Sequence, residues 1–422
     1  MVQERGRAVV VGQGYVGLPV AVRAVEAGWR VVGYDVFKEK VDSINSGCSP
    51  VEDVTDERLQ AAIGTGRYMA TSDPADLAGF DVAVISVPTP LSEGNPDLSF
   101  IEGACRVVAP AVTSGATVIL ESTTYPGTTE ELARPILEAG SGLVAGESFH
   151  LGYSPERIDP GNPLWRFENT PKVVSGVTPA CLAKVQGFFD TLVERTVPVS
   201  SPKEAELTKL LENTFRHVNI ALVNEVAMFA RDLGIDVWEA IDAASTKPFG
   251  YMRFTPGPGV GGHCLPIDPS YLSWRVKQSL GHSFRFVELA NDVNDHMPDY
   301  VVRRLAAAFN ERGLSVKGRR VLLLGLAYKK NTGDARESPS HDIADLLVNL
   351  GADVRCADPH VPAQQIPSCC TPVEATTDEA TAADAVLLLV DHDDFDLPAL
   401  AAAASYVLDC RHVLDGPTVE HL

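Results

Sequence analysis

Basic residues are scarce in this sequence, which has 35 Lys and Arg against 56 Asp and Glu and a formal net charge of −21. A surface of this sign repels phosphate backbones and anionic lipids, so the charge argues against nucleic acid and membranes as partners. No apolar run approaches the ~20 residues of a membrane-spanning helix, and the N-terminus lacks the apolar segment of a secretory signal. We therefore expect a soluble, cytoplasmic protein.

Cysteines are also few, and they are scattered. The chain has eight, none of them spaced as Cys-x-x-Cys. This pattern favours neither a disulfide framework nor a metal site, so we expect a reducing compartment and no bound metal. Hydrophobic residues, in contrast, make up 45% of the 422 residues. That is enough for sizeable cores, and the length alone predicts roughly three domains.

A glycine-rich turn follows the first apolar run. Residues 7–11 are typical of a buried strand, GQGYVG at 12–17 leads into a helical pattern, and a second strand at 30–34 ends in Asp35. The glycines let a pyrophosphate approach the helix N-terminus, and Asp35 accepts from ribose hydroxyls while it repels a 2′-phosphate. Lys40 either covers the adenosine or is a solvated helix residue. The pattern predicts an NAD site that includes Gly12, Gln13, Gly14, Tyr15, Val16 and Asp35.

Further strand patterns at 81–87, 116–121 and 149–153 are separated at first by helical patterns. This alternation predicts a doubly wound parallel sheet, whose ligands bind at the carboxyl ends of the strands. Polar loops at 87–90, 121–129 and 154–162 fall at those ends. In the last of them, Glu156 and Arg157 are either functional residues or a surface ion pair.

A long helix is predicted next. Ser201 is the expected N-cap, Pro202 the first helical residue and Glu204 the capping-box partner, and the helical pattern ends at Gly234. Such a length indicates a spine between domains. Lys209 and Asn213 share one face because they are four residues apart, although such a pair is usually solvated surface. Another helical pattern, at 286–304, is interrupted near Pro298.

A second βαβ pattern begins with a strand at 320–324, followed by a helix at 340–350 and strands at 352–356, 385–390 and 406–408. It lacks a complete GxGxxG, so it either binds a nucleotide or only packs. Lys329, Lys330 and Arg336 cluster after its first strand, which favours phosphate binding. Arg411, after the last of these strands, is a further candidate.

The run GPGVGG at 257–262 cannot hold a regular element, because each glycine loses much backbone entropy on ordering. It can turn sharply and offer N–H groups to anionic oxygens. Cys264 follows this loop, with Asp268 four residues later. Taken alone, Cys264 is as plausible a buried structural cysteine as a covalent nucleophile.

In combination, these segments resemble the UDP-glucose/GDP-mannose dehydrogenase family of nucleotide-sugar 6-dehydrogenases. The resemblance covers essentially the whole chain, and several motifs in the same order are far more specific than any one of them. The motifs that carry it are GQGYVG at 12–17, VPTP at 87–90, ESTTYPGTT at 121–129, SPERIDPGN at 154–162, EAELTKLLEN at 204–213, GPGVGGHCLPIDP at 257–269 and GLAYKKNTGDARESP at 325–339.

The resemblance implies an α/β fold with two Rossmann-like, doubly wound parallel-sheet domains joined by a central helical domain with a long spine helix. The implied domains are an NAD domain at 1–199, a helical dimer-forming region at 200–305 and a UDP-sugar domain at 306–422. The expected partners are therefore a UDP-sugar and a second copy of the chain, as a homodimer or higher homo-oligomer. The implied catalytic residues are Cys264 as nucleophile with Lys209, Asn213, Asp268, Glu156 and Thr124.

The resemblance also assigns residues to the two ligands. Beyond the glycine turn, NAD is expected to contact Pro88, Thr89, Thr124 and Arg336, with Lys40 on the adenosine side. The UDP-sugar is expected to contact residues from the whole chain, namely Glu156, Arg157, Lys209, Asn213, Arg253, Gly257, Gly261, His263, Tyr328, Lys329, Lys330 and Arg411.

The sugar is indicated by departures from the UDP-glucose branch. That branch usually has NPEFL where this chain has SPERI at 154–158, and a serine where this chain has His263. These differences, with KPFG at 247–250, resemble the enzymes that oxidise UDP-N-acetylhexosamines, most closely the N-acetylglucosamine type. The expected reaction is a four-electron oxidation at C6 through a thiohemiacetal and a thioester on Cys264. The alternatives are UDP-glucose or UDP-N-acetylmannosamine as substrate, a two-electron β-hydroxyacid dehydrogenase, and an NAD-responsive binding protein.

Overall fold

The computed structural model describes residues 5–92, 95–158, 162, 164–262 and 264–422, and the side chains of Cys264 and Pro266 lie outside this description. The chain forms two compact units. The first comprises Met1–Glu212 with Ser270–Gly281, and the second comprises Asn213–Pro269 with His282–Leu422. Among the described residues, no helix combines the length and the hydrophobicity that crossing a bilayer requires.

The first unit is built on a six-stranded parallel sheet of order β3-β2-β1-β4-β7-β8. Alternate residues of its central strand enter two different cores, with Ala8 and Val10 on one face and Val9 and Val11 on the other. A sheet buried on both faces reads as a continuous apolar run, which is why the strand could be predicted from sequence. The strands are β1 (Arg7–Val11), β2 (Arg30–Tyr34), β3 (Tyr68–Thr71), β4 (Val82–Ile85), β7 (Thr117–Leu120) and β8 (His150–Tyr153).

Helices and two short ladders complete this unit. A two-stranded antiparallel ladder pairs β5 (Leu91–Ser92) with β6 (Asn95–Pro96), and a parallel one pairs β9 (Lys172–Val174) with β10 (Thr196–Pro198). A π-helical segment, Thr129–Ala133, leads directly into α5. The helices are α1 (Gly17–Glu26), α2 (Lys38–Asn45), α3 (Asp56–Gly64), α4 (Ser99–Val108), α5 (Arg134–Ser141) and α6 (Pro179–Phe189).

The long helix α7 (Pro202–Asp232) has 31 residues, as the sequence predicted. The Ser201 hydroxyl accepts from the backbone N–H of Lys203 at 3.3 Å and also contacts the Glu204 carboxylate. Gly234 follows the helix with a φ of 68°, a left-handed conformation that glycine adopts without strain. The helix contributes its first residues to the first unit and its remainder, from Asn213, to the second.

The second unit contains a parallel sheet of order β13-β12-β11-β14-β15-β16. Its central strand also alternates between two cores, with Val321 and Leu323 on one face and Leu322 and Leu324 on the other. Together with the helical segments that precede it, this sheet confirms the predicted fold class. The strands are β11 (Arg320–Leu324), β12 (Asp353–Ala357), β13 (Thr371–Pro372), β14 (Ala385–Leu388), β15 (Val407–Asp409) and β16 (Val419–His421).

Two details of the helices in this half of the chain differ in predictability. The pattern at 286–304 is divided as expected: Pro298 is the second residue of α11, where a missing N–H costs little. Helix α9 was not predicted, because prolines at 266 and 269 argue against a helix there. It begins at Cys264, two residues after the last glycine of the run at 257–262. The helices are α8 (Val237–Ser245), α9 (Cys264–Leu280), α10 (Arg285–Asp295), α11 (Met297–Glu311), α12 (Pro339–Asn349), α13 (Thr377–Ala382) and α14 (Leu397–Ala403).

Candidate active site

The glycine turn between β1 and α1 combines two tightly packed positions with one open position. Gly12 has a φ of 91°, and a Cβ there would overlap the carbonyl oxygen of Ser86. A Cβ at Gly17 would overlap the carbonyl oxygen of Gly12, whereas one at Gly14 would meet no atom within 4 Å. The turn therefore needs glycine at 12 and 17 for its own shape. At Gly14 the backbone is open to a ligand at the N-terminal end of α1.

Asp35 lies directly after β2, beside this turn, and its carboxylate is buried. One oxygen accepts from the backbone N–H of Gln13 at 2.9 Å and from Lys40 Nζ at 2.8 Å, and the other accepts from the N–H of Phe37 at 3.1 Å. A carboxylate has about four lone-pair sites, so one remains for a ribose hydroxyl. Lys40 is therefore an ion-pair partner of Asp35 rather than a freely solvated helix residue.

Gln13 supports the turn from inside. Its fully buried side chain donates from Nε2 to the carbonyl of Val10 at 2.8 Å and accepts from the Tyr68 hydroxyl at 2.7 Å. A Cβ at Gly33 would lie 2.5 Å from Gln13 Oε1, so that glycine makes room for this side chain. Tyr15, by contrast, is exposed in the turn itself. In the VPTP loop, Pro88 is exposed and Thr89 is buried. The open backbone at Gly14 and the remaining acceptor on Asp35 fit a dinucleotide.

Thr124 lies buried in the loop after β7. Its hydroxyl donates to Thr128 Oγ1 at 2.5 Å, and Thr128 donates to the carbonyl of Tyr125 at 2.8 Å. Glu206 on α7 fixes the same loop, because its carboxylate accepts from the N–H groups of Gly127 at 2.6 Å and Thr129 at 2.9 Å. Glu206 thus ties α7 to the Thr124 loop, and Lys209 lies three residues further along the same helix.

Glu156 is held by a buried lysine. Lys172 Nζ donates to Glu156 Oε2 at 2.7 Å and to Glu121 Oε1. The other oxygen of Glu156 accepts from the N–H groups of Arg157 at 2.6 Å and Ile158 at 2.8 Å. Burial alone raises the pKa of Glu156, but Lys172 and the two N–H groups outweigh burial and lower that pKa. Burial and the neighbouring Glu156 carboxyl raise the pKa of Glu121, and together they outweigh the lowering effect of Lys172.

Arg157 does not form the surface ion pair with Glu156 that the sequence left open. Its guanidinium binds the Glu212 carboxylate at 2.6 Å and the carbonyl of Pro171 at 2.6 Å. Only its backbone N–H reaches Glu156. The two neighbours in sequence therefore belong to different ion pairs, both within the first unit.

In the second unit, two of the predicted catalytic side chains are in contact. The Asn213 side-chain amide donates to Asp268 Oδ2 at 2.5 Å, and both residues are buried. Asp268 lies one helical turn after Cys264, the first residue of α9. His263 and the side chain of Cys264 lie outside the described residues, so their assignments stay predictions.

The glycine run 257–262 packs against the segment that follows β11. A Cβ at Gly261 would lie 2.7 Å from the carbonyl oxygen of Glu337, and one at Gly262 would lie 2.8 Å from the Tyr328 ring. The N–H of Gly262 donates to the carbonyl of Arg336 at 3.1 Å, and the N–H of Gly257 donates to Asn224 Oδ1 at 3.0 Å. These glycines therefore permit close approach of the protein's own loop, and two of their N–H groups bind protein atoms rather than remaining open to an anion.

Most cations expected near the ligands have carboxylate partners. Lys330 Nζ lies 2.7 Å from Asp393 and 3.4 Å from Asp391, Arg336 binds Asp334 at 2.6 Å, and Arg253 pairs with Asp242. Lys329, which lies beside Lys330, is half-buried.

Arg411 differs from these cations, because within the described residues it has no carboxylate partner. Its Nε donates to the carbonyl of Leu389 at 2.5 Å, and burial lowers its pKa. A Cβ at Gly257 would lie 3.4 Å from its guanidinium. Arg411 therefore brings a positive charge to the glycine run.

The acid after β12, Asp358, is saturated by its own unit. His392 Nδ1 accepts from the N–H of Asn331 at 2.9 Å, so its Nε2 carries the proton and donates to Asp358 at 3.1 Å. Burial alone raises the pKa of Asp358, but His392 and the backbone donors outweigh it and hold that pKa well below its usual range. Four backbone N–H groups also donate to this carboxylate at distances from 2.6 to 3.0 Å, those of Leu326, Ala327, His360 and Val361.

Three buried polar residues were missed at the sequence level. Lys172 opens an otherwise apolar strand, Glu206 lies in the EAELTKLLEN motif, and Asn224 lies in the middle of α7. Asn224 links Gly257 to Asn294, which accepts from its amide at 3.0 Å. The available signal was a polar residue at a position whose neighbours predict burial, since such a residue needs a partner.

Sequence models of one protein family match three consecutive segments of the chain. The NAD binding domain of the UDP-glucose/GDP-mannose dehydrogenase family matches residues 6–193, its central domain matches 203–296, and its UDP binding domain matches 322–416. The first match confirms NAD as the cofactor of the unit that contains the glycine turn.

Relatives match along nearly the whole chain. A UDP-N-acetyl-D-mannosamine dehydrogenase from Pyrococcus horikoshii is 35% identical, over 98% of this chain and 97% of its own. A UDP-N-acetyl-D-glucosamine 6-dehydrogenase from Pseudomonas aeruginosa is 36% identical, over 97% of each chain. A solved structure of the Pyrococcus horikoshii UDP-D-ManNAc dehydrogenase superimposes with a TM-score of 0.89 at 34% identity, covering 98% of both chains.

Proposed function

Because the chain belongs to the UDP-glucose/GDP-mannose dehydrogenase family and is thus an NAD-dependent nucleotide-sugar dehydrogenase, we propose that it oxidises C6 of a UDP-N-acetylhexosamine to a carboxylate. The observation that carries this proposal is that full-length relatives from distant organisms are named for N-acetylated UDP-hexosamines. Each such oxidation removes four electrons and consumes one water.

UDP-N-acetylglucosamine is the proposed sugar. The two relatives differ by one percentage point in identity and are named for different sugars, so overall similarity does not separate them. The glucosamine assignment rests on the segments SPERIDPGN at 154–162 and KPFG at 247–250. UDP-N-acetylmannosamine is the second candidate, because the Pyrococcus horikoshii relative carries that name.

The proposed nucleophile is Cys264. Cys264 is the first residue of α9. A helix N-terminus favours the thiolate over the thiol of a cysteine, whose free pKa is about 8.5. The first oxidation gives an aldehyde, which has no second hydride to lose until a nucleophile adds to it. The thiolate would add to the aldehyde carbon as a thiohemiacetal, whose oxidation gives a thioester that water then hydrolyses.

The surrounding polar residues have separable proposed roles. Lys209 would favour the Cys264 thiolate and, with Asn213, stabilise the oxyanion that forms when it adds. The Asn213–Asp268 hydrogen bond, at 2.5 Å, supports a role of Asp268 in orienting that amide. Glu156 would accept the proton of the hydrolytic water, with Thr124 helping to hold that water. When bound, NAD accepts the hydride released in each of the two oxidations.

Ligand contacts follow from the same assignment. Gly12, Gly14 and Asp35 would hold the adenosine diphosphate half of NAD, and Pro88, Thr89 and Arg336 are further proposed contacts. For the UDP-sugar, the absence of a carboxylate partner among the described residues makes Arg411 the favoured diphosphate contact. Arg411→Lys keeps the positive charge but removes the planar guanidinium that can donate two hydrogen bonds at once. The substitution should raise KM for the nucleotide sugar more than it changes kcat.

A homodimer is proposed through α7. Exposed apolar side chains recur on this helix at spacings of four and seven, which places them on one face. They are Leu211, Phe215, Leu222 and Phe229. A second copy presents the same face, so a two-fold contact would bury both. Leu222→Glu should lower the mass measured by light scattering towards a monomer. A matched control is Leu350→Glu, an exposed leucine outside this helix.

The reaction is tested by supplying a panel of UDP-sugars with NAD and counting NADH per sugar. Two NADH per UDP-N-acetylglucosamine, with a lower kcat/KM for UDP-N-acetylmannosamine, UDP-N-acetylgalactosamine and UDP-glucose, is the expected result. One NADH per sugar would instead indicate a two-electron dehydrogenase, and none would indicate a binding protein. Cys264→Ala should abolish acid formation, while Cys48→Ala, which changes an exposed cysteine, should leave it unchanged.

The hydrolytic role of Glu156 has its own test. Glu156→Gln should leave the first oxidation intact and accumulate the thioester, detected by intact mass as an adduct on Cys264. Slow first oxidation without an adduct would assign Glu156 to a different step.

A further inference from the structure

We infer that Lys172 and Glu121 are positioning residues for Glu156, with Glu121 carrying a proton so that Glu156 stays an ionised base for thioester hydrolysis. The inference rests on the proposed hydrolytic role of Glu156. It adds two residues that have no other part in the proposed reaction. Both lie in the first unit, as does Glu156.

The geometry begins with Lys172, the first residue of β9, which is 2% exposed. Its ammonium reaches one oxygen of Glu156 at 2.7 Å and one oxygen of Glu121. The rings of Phe167 and Phe189 each have their centroid 5.2 Å from the same nitrogen. Two carboxylates and two aromatic faces thus surround a cation that has almost no access to water.

The charges of this group do not balance when every member is ionised. Two carboxylates and one ammonium sum to −1 in a buried space, where an uncompensated charge is costly. Burial raises the pKa of Glu121, whose Oε2 is buried without a hydrogen-bond partner among the described residues. A proton on Glu121 makes the group neutral. It also lets Lys172 act mainly on Glu156.

Backbone donors decide which carboxylate keeps its charge. Glu156 Oε1 accepts from the N–H groups of Arg157 and Ile158, whereas Glu121 contacts Lys172 and the Glu156 carboxyl and, among the described residues, accepts from no backbone N–H. Among the described residues, a further charged neighbour is the Arg157–Glu212 ion pair, which is compensated within itself. Glu156 is therefore the favoured anion, and its pKa is lowered.

This arrangement leaves Glu156 one usable acceptor. Oε1 has both lone pairs engaged, and Oε2 has one engaged by Lys172, so the second lone pair of Oε2 remains for water. In the hydrolytic step that oxygen takes a proton from water, and the hydroxide adds to the thioester carbonyl. The C–S bond then breaks, and the sulfur leaves as a thiolate. No oxidant or reductant is required.

The kinetic test compares Lys172→Met with Lys172→Arg in single-turnover hydrolysis of the Cys264 adduct, followed by intact mass across pH. Lys172→Met removes the charge, so the rise of the hydrolysis rate with pH should move about one unit or more towards alkaline pH, with roughly tenfold slower hydrolysis on the acid side of the wild-type midpoint. Lys172→Arg should restore most of the profile. An unchanged profile in a Lys172→Met protein that retains the wild-type Tm would overturn the inference.

A second measurement does not depend on turnover, so it separates this inference from the proposed function. The infrared difference spectrum between the wild type and Glu121→Gln near neutral pH should contain the band of one protonated carboxyl. The subtraction removes the contribution of Glu206, a second buried carboxyl whose pKa burial raises to about 7. A difference spectrum without that band would overturn the assignment of the proton. If no adduct forms on Cys264 but the band behaves as expected, the hydrolytic role of Glu156 fails while the shared proton stands.

Discussion

The two parallel sheets have corresponding strand orders but treat the loop after their central strand differently. In the first, α1 begins at Gly17, five residues after Gly12. In the second, α12 begins only at Pro339, well after Gly325. Gly12 and Gly325 have nearly equal φ values of 91° and 89°, so both strands leave the sheet in the same way. The two segments differ in conformation only after these glycines.

The two sheets also differ in the role of the aspartate that follows β2 in the first sheet and β12 in the second. Asp35 keeps an acceptor site beside an open glycine, whereas Asp358 binds four backbone N–H groups and His392. The same residue type at equivalent positions thus keeps an acceptor site open in one sheet and binds the protein's own loop in the other. The long loop after Gly325 needs this internal acceptor because it lacks the short helix connection of the first sheet.

The largest expected effect is on stability. Asp358→Ala leaves four partly buried N–H groups without their acceptor, and each such loss costs about 1–3 kcal/mol. We expect a total loss of at least about 3 kcal/mol for the second unit, measured by denaturant unfolding. Hydrogen exchange at Leu326 and Ala327 should accelerate. Asp35→Ala is the matched control and should lower the unfolding free energy by less, because fewer backbone N–H groups donate to Asp35. Equal losses of stability in the two variants would contradict the proposed difference between the two acids.

The next effect is a pH dependence confined to the second acid. Because the folded-state pKa of Asp358 is lowered, its stabilisation is complete above its unfolded value of about 3.9 and is lost as pH falls. The gap in unfolding free energy between the wild type and Asp358→Asn should therefore narrow below about pH 4, by at most about 1.4 kcal/mol per pH unit. A free-energy gap that stays constant from pH 7 to pH 3 would contradict stabilisation by an ionised Asp358 carboxylate.

A smaller effect concerns cofactor affinity. Asp35→Ala removes the acceptor for the ribose and should raise the Kd of NAD about 10- to 100-fold, or roughly 1.4–3 kcal/mol, measured by isothermal titration. It should also reduce the preference for NAD over NADP, because the carboxylate no longer repels the 2′-phosphate. Asp358→Ala is unsuitable as a control if it unfolds, so Asp358→Asn serves instead and should leave NAD binding near wild type.

The smallest expected change in stability is at Gly14. A Cβ there meets nothing within 4 Å, so Gly14→Ala should alter the unfolding free energy by less than about 0.5 kcal/mol. NAD affinity should nevertheless fall severalfold, because the methyl group occupies space that the pyrophosphate needs. Gly325→Ala is the comparison: its Cβ would overlap Val390, so it should destabilise the protein without any cofactor present.

The strands were predictable because each is a short apolar run with a glycine or an acid at its end. Residues 7–11, 30–34 and 320–324 match the structure at both ends. Helix α9 was not predictable in this way, because Pro266 and Pro269 locally disfavour a helix. Pro266 lies in the first turn of the helix, where proline is tolerated. Local preference therefore failed where the proposed nucleophile begins a helix.

The candidate site was predictable in its residue types but not in its pairings. GQGYVG and Asp35 have a fixed relation through one βαβ unit, so their proximity followed from spacing. Lys172 has its partners 51 and 16 residues away in sequence, at Glu121 and Glu156. No local pattern encodes such distances, and the same applies to the bond between Asn213 and Asp268, 55 residues apart.

The enclosure of Lys172 has a practical consequence for chemical probing. Amine-reactive reagents need an exposed, uncharged amine, and Lys172 is covered by two phenylalanine rings and has its pKa raised by two carboxylates against the effect of burial. Surface mapping of lysines in the native protein should therefore pass over it. Labelling at Lys172 would then report the opening of the β9–β10 ladder, a built-in sensor of partial unfolding.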